Sequence, residues 1–172
     1  MEKNNESNAL VESAKAQLND FYNGSSWVTE NFSEKVFSIQ PGEALEKVEG
    51  HNHSVAQLVR HITAWRNFVL QKLTGNEDYD IRDESSDWPE PNDWESTCEE
   101  FRLRHRDLLT AIENFPVERW DSVVPGRSYS FIYLINGIIQ HDYYHYGQIG
   151  SVIAAVKLKV EGLIVTLLSC FG

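Results

Sequence analysis

The chain has 172 residues, 41% of them hydrophobic, with a net charge of -11 and a pI of about 4.9. That length suits one domain, spanning residues 1–172, with a core large enough to need no disulfide or metal staple. An acidic chain without a basic cluster is a poor partner for a phosphate backbone, so nucleic-acid binding is not expected.

The two cysteines, Cys98 and Cys170, form no CxxC pair, which points to a reducing compartment. The polar start, Met1-Glu2-Lys3-Asn4-Asn5-Glu6, lacks the apolar region of a signal peptide. The apolar run from Leu163 to Phe171 is far shorter than the ~20 residues a membrane span requires. A cytoplasmic protein with no membrane association is expected.

Residues 8–22 carry a helical period, with Leu10, Val11, Ala14, Leu18, Phe21 and Tyr22 on one side and a stop at Asn23-Gly24-Ser25-Ser26. Residues 27–50 are less regular. Short helices are expected at 31–39 and, after a Pro41-Gly42 turn, at 43–48. A second long helix is predicted over 54–75. Ser54 is its N-cap, Gln57 the capping-box partner and Gly75 the stop. Its stripe is Val55, Leu58, Val59, Ile62, Trp65, Val69 and Leu73, and His61 falls between Leu58 and Trp65.

Residues 76–91 are polar and interrupted by prolines, and read as a long connection. Asn92 or Asp93 then caps a third helix over 94–115, with the stripe Trp94, Cys98, Phe101, His105, Leu108, Ile112 and Phe115 before Pro116. Residues 117–127 read as a connection with some extended structure near 122–124. A fourth helix is predicted over 130–157, buried along Phe131, Leu134, Ile135, Ile138, His145, Ile149, Val152 and Val156. A leucine-rich, β-branched tail follows. Four amphipathic helices and one long crossover predict an all-α fold, a four-helix bundle with its core at about 8–157 and an apolar tail at 158–172.

His141 and His145 are four residues apart on the fourth helix, so their side chains lie one above the other. His61, on another inward face, is the best third partner. Three imidazoles make a facial site for a transition metal and leave positions open, as catalytic sites do. The alternative is hydrogen-bonded histidines at the edge of the core. A zinc-protease motif would read HExxH, but Asp142 occupies the Glu position, so that mechanism is not expected. His105 is a fourth candidate ligand, against a buried histidine satisfied by a hydrogen bond. His51 and His53 could line the site mouth or lie in a solvated loop. Gln148 shares the face of His141 and His145 and could support a ligand or serve helix packing. Cys98 reads as a small core hydrophobe.

The stretch Ser54-Val55-Ala56-Gln57-Leu58-Val59-Arg60-His61-Ile62-Thr63-Ala64-Trp65-Arg66 resembles the second-helix motif of the DinB-like proteins, especially the YfiT-type branch. His141-Asp142-Tyr143-Tyr144-His145-Tyr146-Gly147-Gln148-Ile149 resembles that family's fourth-helix signature, HxxxHxGQI. The resemblance covers roughly residues 8–157 and leaves the tail unmatched. It implies the same bundle and a three-histidine metal site, with His61 as first ligand and His141 and His145 as the pair. It also implies one divalent metal, whether Zn, Ni, Fe or Mn, and a dimer. Relatives of this kind include thiol-dependent transferases and metal-dependent isomerases or hydrolases.

The leading expectation is a metal-dependent hydrolase or low-molecular-weight-thiol transferase acting on a small molecule, with no general base assigned. A non-catalytic metal-binding protein of stress-response or interaction type is the alternative, supported if His105 were a fourth ligand. A metal-free bundle with a dimer interface is a third reading. The tail 162–171 is too apolar for water, so a homodimer paired through it is expected. Sedimentation of the full chain and of a chain cut after Glu161 tests this: a monomer in both would show that the tail covers its own bundle.

Overall fold

The computed structural model describes residues 2–25, 27 and 30–170, with side chains at 9–25, 27 and 30–160. Its helices are α1 (Glu2–Tyr22), α2 (Phe32–Phe37), α3 (Pro41–Leu45), α4 (Val55–Leu73), α5 (Glu84–Asp87), α6 (Trp94–Asn114) and α7 (Phe131–Cys170), with a 3₁₀ turn at Val117–Arg119. The long helices α1, α4, α6 and α7 form the bundle. Both α1 and α4 pack on α6 and on α7, which puts α1 and α4 at opposite corners. The connection carrying α2 and α3 crosses that diagonal.

Local chemistry sets most of the boundaries. Ser54 Oγ accepts from the Gln57 N–H at 3.2 Å while Gln57 Oε1 accepts from the Ser54 N–H at 3.1 Å, the reciprocal cap expected at α4. Asp93 caps α6 through the Ser96 N–H at 2.7 Å. Gly75, at φ +89°, ends α4 in the left-handed region that glycine adopts without strain.

Four boundaries differ from the sequence expectation, the first being α1, which begins at Glu2 rather than near residue 8. Pro41 opens α3 instead of forming a turn before it, because its fixed φ suits the first helical position. The polar connection after α4 contains α5, capped by Asp83 through the Ser86 N–H at 2.8 Å. The last helix does not stop near residue 157 but runs to Cys170, since Gly162 alone, without a following proline, does not end a helix. The expected extended structure near residue 123 is one bridge, between Val123 and Ser130. The apolar tail expected to pair two chains falls on residues 161–172, whose side chains lie outside the described residues. No helix among the described residues is long and apolar enough to cross a membrane.

The predicted stripes are the core. Every stripe residue of α6 and α7 is buried, as are those of α4 except the half-buried Trp65. On α1 the exceptions are Leu10, which is exposed, and Tyr22, which is half-buried. Phe32 stacks on Phe101 at 4.3 Å, carrying α2 onto α6. A fully buried phenylalanine of this kind contributes about 1.5–3 kcal/mol.

Polar side chains are buried as well, and Arg66 is the largest of the fully buried ones. Arg66 on α4 has no exposed surface. Its Nε and Nη2 donate to Asp142 Oδ2 on α7, at 3.0 and 2.7 Å, and its Nη1 donates to His105 Nδ1 on α6 at 2.9 Å. The guanidinium also lies over the Phe101 ring, 4.5 Å from its centroid. Removing one partner of a buried pair strands the other charge. Arg66→Met is therefore expected to cost about 3–5 kcal/mol in denaturant unfolding. Adding Asp142→Leu should recover most of that loss. A single variant as stable as the parent would show that the pair does not hold the helices together.

Candidate metal centre

His61 sits on α4 and His141 and His145 sit on α7, where the two helices pack together. His61 Nε2 lies 3.0 Å from His145 Nε2 and 3.1 Å from His141 Nε2. His61 and His145 are buried, and His141 is half-buried. Among the described residues, these are the three whose donor atoms come close enough to share one metal ion.

The far side of each buried ring is held. His61 Nδ1 lies 2.8 Å from the Asp87 carbonyl oxygen, which can only accept, so Nδ1 carries the proton. His145 Nδ1 donates to Gln148 Oε1 at 2.7 Å, and the Gln148 amide donates to Tyr144 Oη at 3.2 Å. Burial pushes His145 down to about 4, helped by His141 and His61, and burial likewise lowers His61. Both rings are therefore neutral near pH 7, with Nδ1 protonated and Nε2 a bare lone pair. Two lone pairs 3.0 Å apart repel each other and have no proton to share. The three histidines could hold a metal ion.

Aromatic rings wall the centre. Trp88, just after α5, stacks on His61 at 3.8 Å and on His53 at 3.7 Å, a three-ring sandwich. Trp65 stands beside His141 with ring centroids 5.7 Å apart. Its indole N–H donates to Asp87 Oδ1 at 2.8 Å. Asp87 thus fixes His61 through its backbone and Trp65 through its side chain. His53 meets the centre through Trp88, and with His51 and Gln148 it borders a neighbouring cavity.

The family model described as the DinB superfamily matches residues 22–149. The chain belongs to the DinB superfamily. The curated proteins and the solved structures compared with it gave no match. The matched span contains His61, His141 and His145.

The other candidates in this DinB-superfamily chain find separate partners. His105 does not join the trio: its Nδ1 accepts from Arg66 and its ring stacks on Tyr22 at 4.2 Å. Asp142 is wholly buried and held by Arg66, so it is not a free base of the zinc-protease kind. Its second oxygen, Oδ1, lies 3.9 Å from His141 Nδ1, and neither atom has a hydrogen-bond partner among the described residues. Cys98 is a buried thiol, pushed up to about 11 by burial, and packs as a core residue. Sequence reading missed Asp87, Trp88 and Arg66. The Asp83-x-x-Ser86 cap signal could have revealed α5. Nothing local points to Arg66, whose charge reads as surface.

His105 gives the centre's surroundings a measurable signature. Burial, followed by the neighbouring Arg66 charge, pushes it down to about 3 from 6.5. The unfolded chain takes up this proton near pH 6.5, whereas the folded chain resists it down to about pH 3. The stability that neutral His105 contributes is complete above pH 6.5 and is lost as pH falls toward 3. The slope from this one residue is at most about 1.4 kcal/mol per pH unit. His105→Gln keeps an acceptor for Arg66 and removes the titration. Unfolding measured from pH 7 to 4 should give a shallower acid slope for the variant than for the parent, and equal slopes would contradict the assignment.

Proposed function

We propose that this chain is a metal-dependent enzyme that holds one divalent transition metal, whether Zn, Ni, Fe or Mn, on His61, His141 and His145. The observation carrying this reading is the convergence of two fixed Nε2 lone pairs, of His61 and His145, 3.0 Å apart with no proton between them, and the His141 Nε2 3.1 Å from the first. Such spacing suits nitrogens that each sit about 2.0–2.1 Å from one ion. A structural or sensory site would call for a fourth protein ligand. His105, the candidate for that place, is committed to Arg66, which favours an open catalytic site.

Bound there, a divalent metal would supply Lewis acidity, lowering the pKa of a thiol or water or polarising a carbonyl. The chain's own residues orient and shield. The Asp87 carbonyl and Gln148 fix the two tautomers, and Trp88 covers the His61 face. Neither nearby carboxylate serves as a ready general base: Asp142 holds Arg66, and Asp87 accepts from Trp65. Without a base, the nucleophile that ionises most readily is favoured. A thiol, with a pKa of about 8.5, needs less help than water at about 15.7. Low-molecular-weight-thiol transfer is therefore the first reading and hydrolysis the second.

Metal analysis of protein purified without an affinity tag tests the proposal. One equivalent of a divalent metal per chain is expected after equilibration with Zn, Ni, Mn or Fe(II). Gln148→Leu should weaken binding about 10–100-fold, as loss of a ligand's hydrogen-bond partner commonly does. Alanine at His61, His141 or His145 should weaken it further. No bound metal, or a triple-alanine variant that binds as well as the parent, would overturn the reading.

A further inference from the structure

A groove runs beside the centre between α4 and α7. Trp65 and Val69 form its α4 wall, and Leu134, Gly137, Ile138 and His141 its α7 wall. These α7 positions follow one another on one face, so the groove ends at His141. Tyr129 and Tyr133, with centroids 5.3 Å apart, stand about two helical turns away at the other end. No charged side chain lines it, and its volume is ≈ 200 Å³. An apolar cavity of about 150 Å³ is enough to hold a benzene ring.

Two further features tie the groove to the metal centre. Trp65 is held by Asp87, the residue that also fixes His61. Gly137 sits inside a helix, where glycine is unfavourable, and a Cβ built there meets no atom within 4 Å. Packing does not forbid a side chain at this position, and one placed there would take up groove space. The cavity on the opposite flank, ≈ 230 Å³, is polar by contrast, with Asn52, His53, Gln148 and Ser151 in its wall.

We infer that the groove seats an uncharged aryl group of the substrate, and that this substrate carries its metal-directed donor at the His141 end. The inference rests on the metal-centre reading and adds the substrate class: small molecules with an aromatic or comparably compact apolar group next to the reacting function. Charged or strongly polar groups are excluded from this side and left to the polar flank.

Two probes with the same chelating head test it. Acetohydroxamate and benzohydroxamate differ by a methyl against a phenyl, and their binding to the zinc-loaded full chain can be measured by calorimetry. Benzohydroxamate should bind at least about tenfold tighter, the scale on which apolar pockets discriminate. Gly137→Leu should abolish that preference without lowering zinc content, thermal stability or acetohydroxamate affinity. Tyr133→Ala, which opens the far end without filling the groove, should reduce the preference and leave the fold intact. Zinc bound with no preference between the probes overturns this inference alone. So does a preference that survives Gly137→Leu in a folded, zinc-loaded variant. A dimer that Gly137→Leu converts to monomer also overturns it, by showing that a second copy of the chain occupies the groove. A chain that binds none of Zn, Ni, Mn or Fe(II) overturns the metal-centre reading, and this inference with it.

Discussion

The Arg66 guanidinium is the point on which the bundle and its site both turn. It is a cation without exposed surface, and its hydrogen bonds reach α6 through His105 and α7 through Asp142. A buried ion pair is a weak source of net stability compared with an apolar replacement, but it is demanding about geometry. Its value here is positional. Asp142 is the neighbour of His141, and Arg66 lies five residues from His61 on the same helix. Satisfying the guanidinium fixes the rotation and height of α7 against α4. That registry is also what brings His61 within 3.1 Å of the two α7 histidines.

The centre follows from how each ring's outer nitrogen is committed. Asp87 and Gln148 take the Nδ1 protons, which turns the Nε2 atoms of His61 and His145 inward as lone pairs. Burial keeps them unprotonated, and Trp88 covers one face of His61. The arrangement is costly without a cation, because converging acceptors in a dry site repel each other. Local costs of this kind are common at functional sites. His105 shows the opposite case. It lies equally deep in the bundle but finds a donor in Arg66, and so it belongs to the scaffold.

The two flanks of the centre differ in chemistry. The His141 side is aromatic and uncharged, and the Gln148 side is polar. A reaction that joins a polar partner to an apolar one would use both. The α4–α6 connection supplies the contacts that link them. Asp87 and Trp88 reach His61, Trp65 and His53 from a segment whose composition reads as solvated loop. A short capped helix, α5, holds that segment in place.

Much of this was legible in the chain. Periodicity placed the four long helices, because burying one face of a helix demands apolar residues every three or four positions. Ser54 and Asp93 marked two helix starts, since their side chains satisfy backbone N–H groups that would otherwise be orphaned. The HxxxH spacing of His141 and His145 and the inward place of His61 nominated the trio, whose matched span belongs to the DinB superfamily. What the sequence could not carry were pairings across long separations. Arg66 with Asp142, Asp87 with His61, and Trp88 between two histidines lie 76, 26 and 27 or 35 residues apart. A charged or polar residue looks the same in sequence whether it meets water or a buried partner. Helix packing alone gathered His61, His141 and His145 and left out His105, because which nitrogens meet in space is set by the rotation of one helix against another.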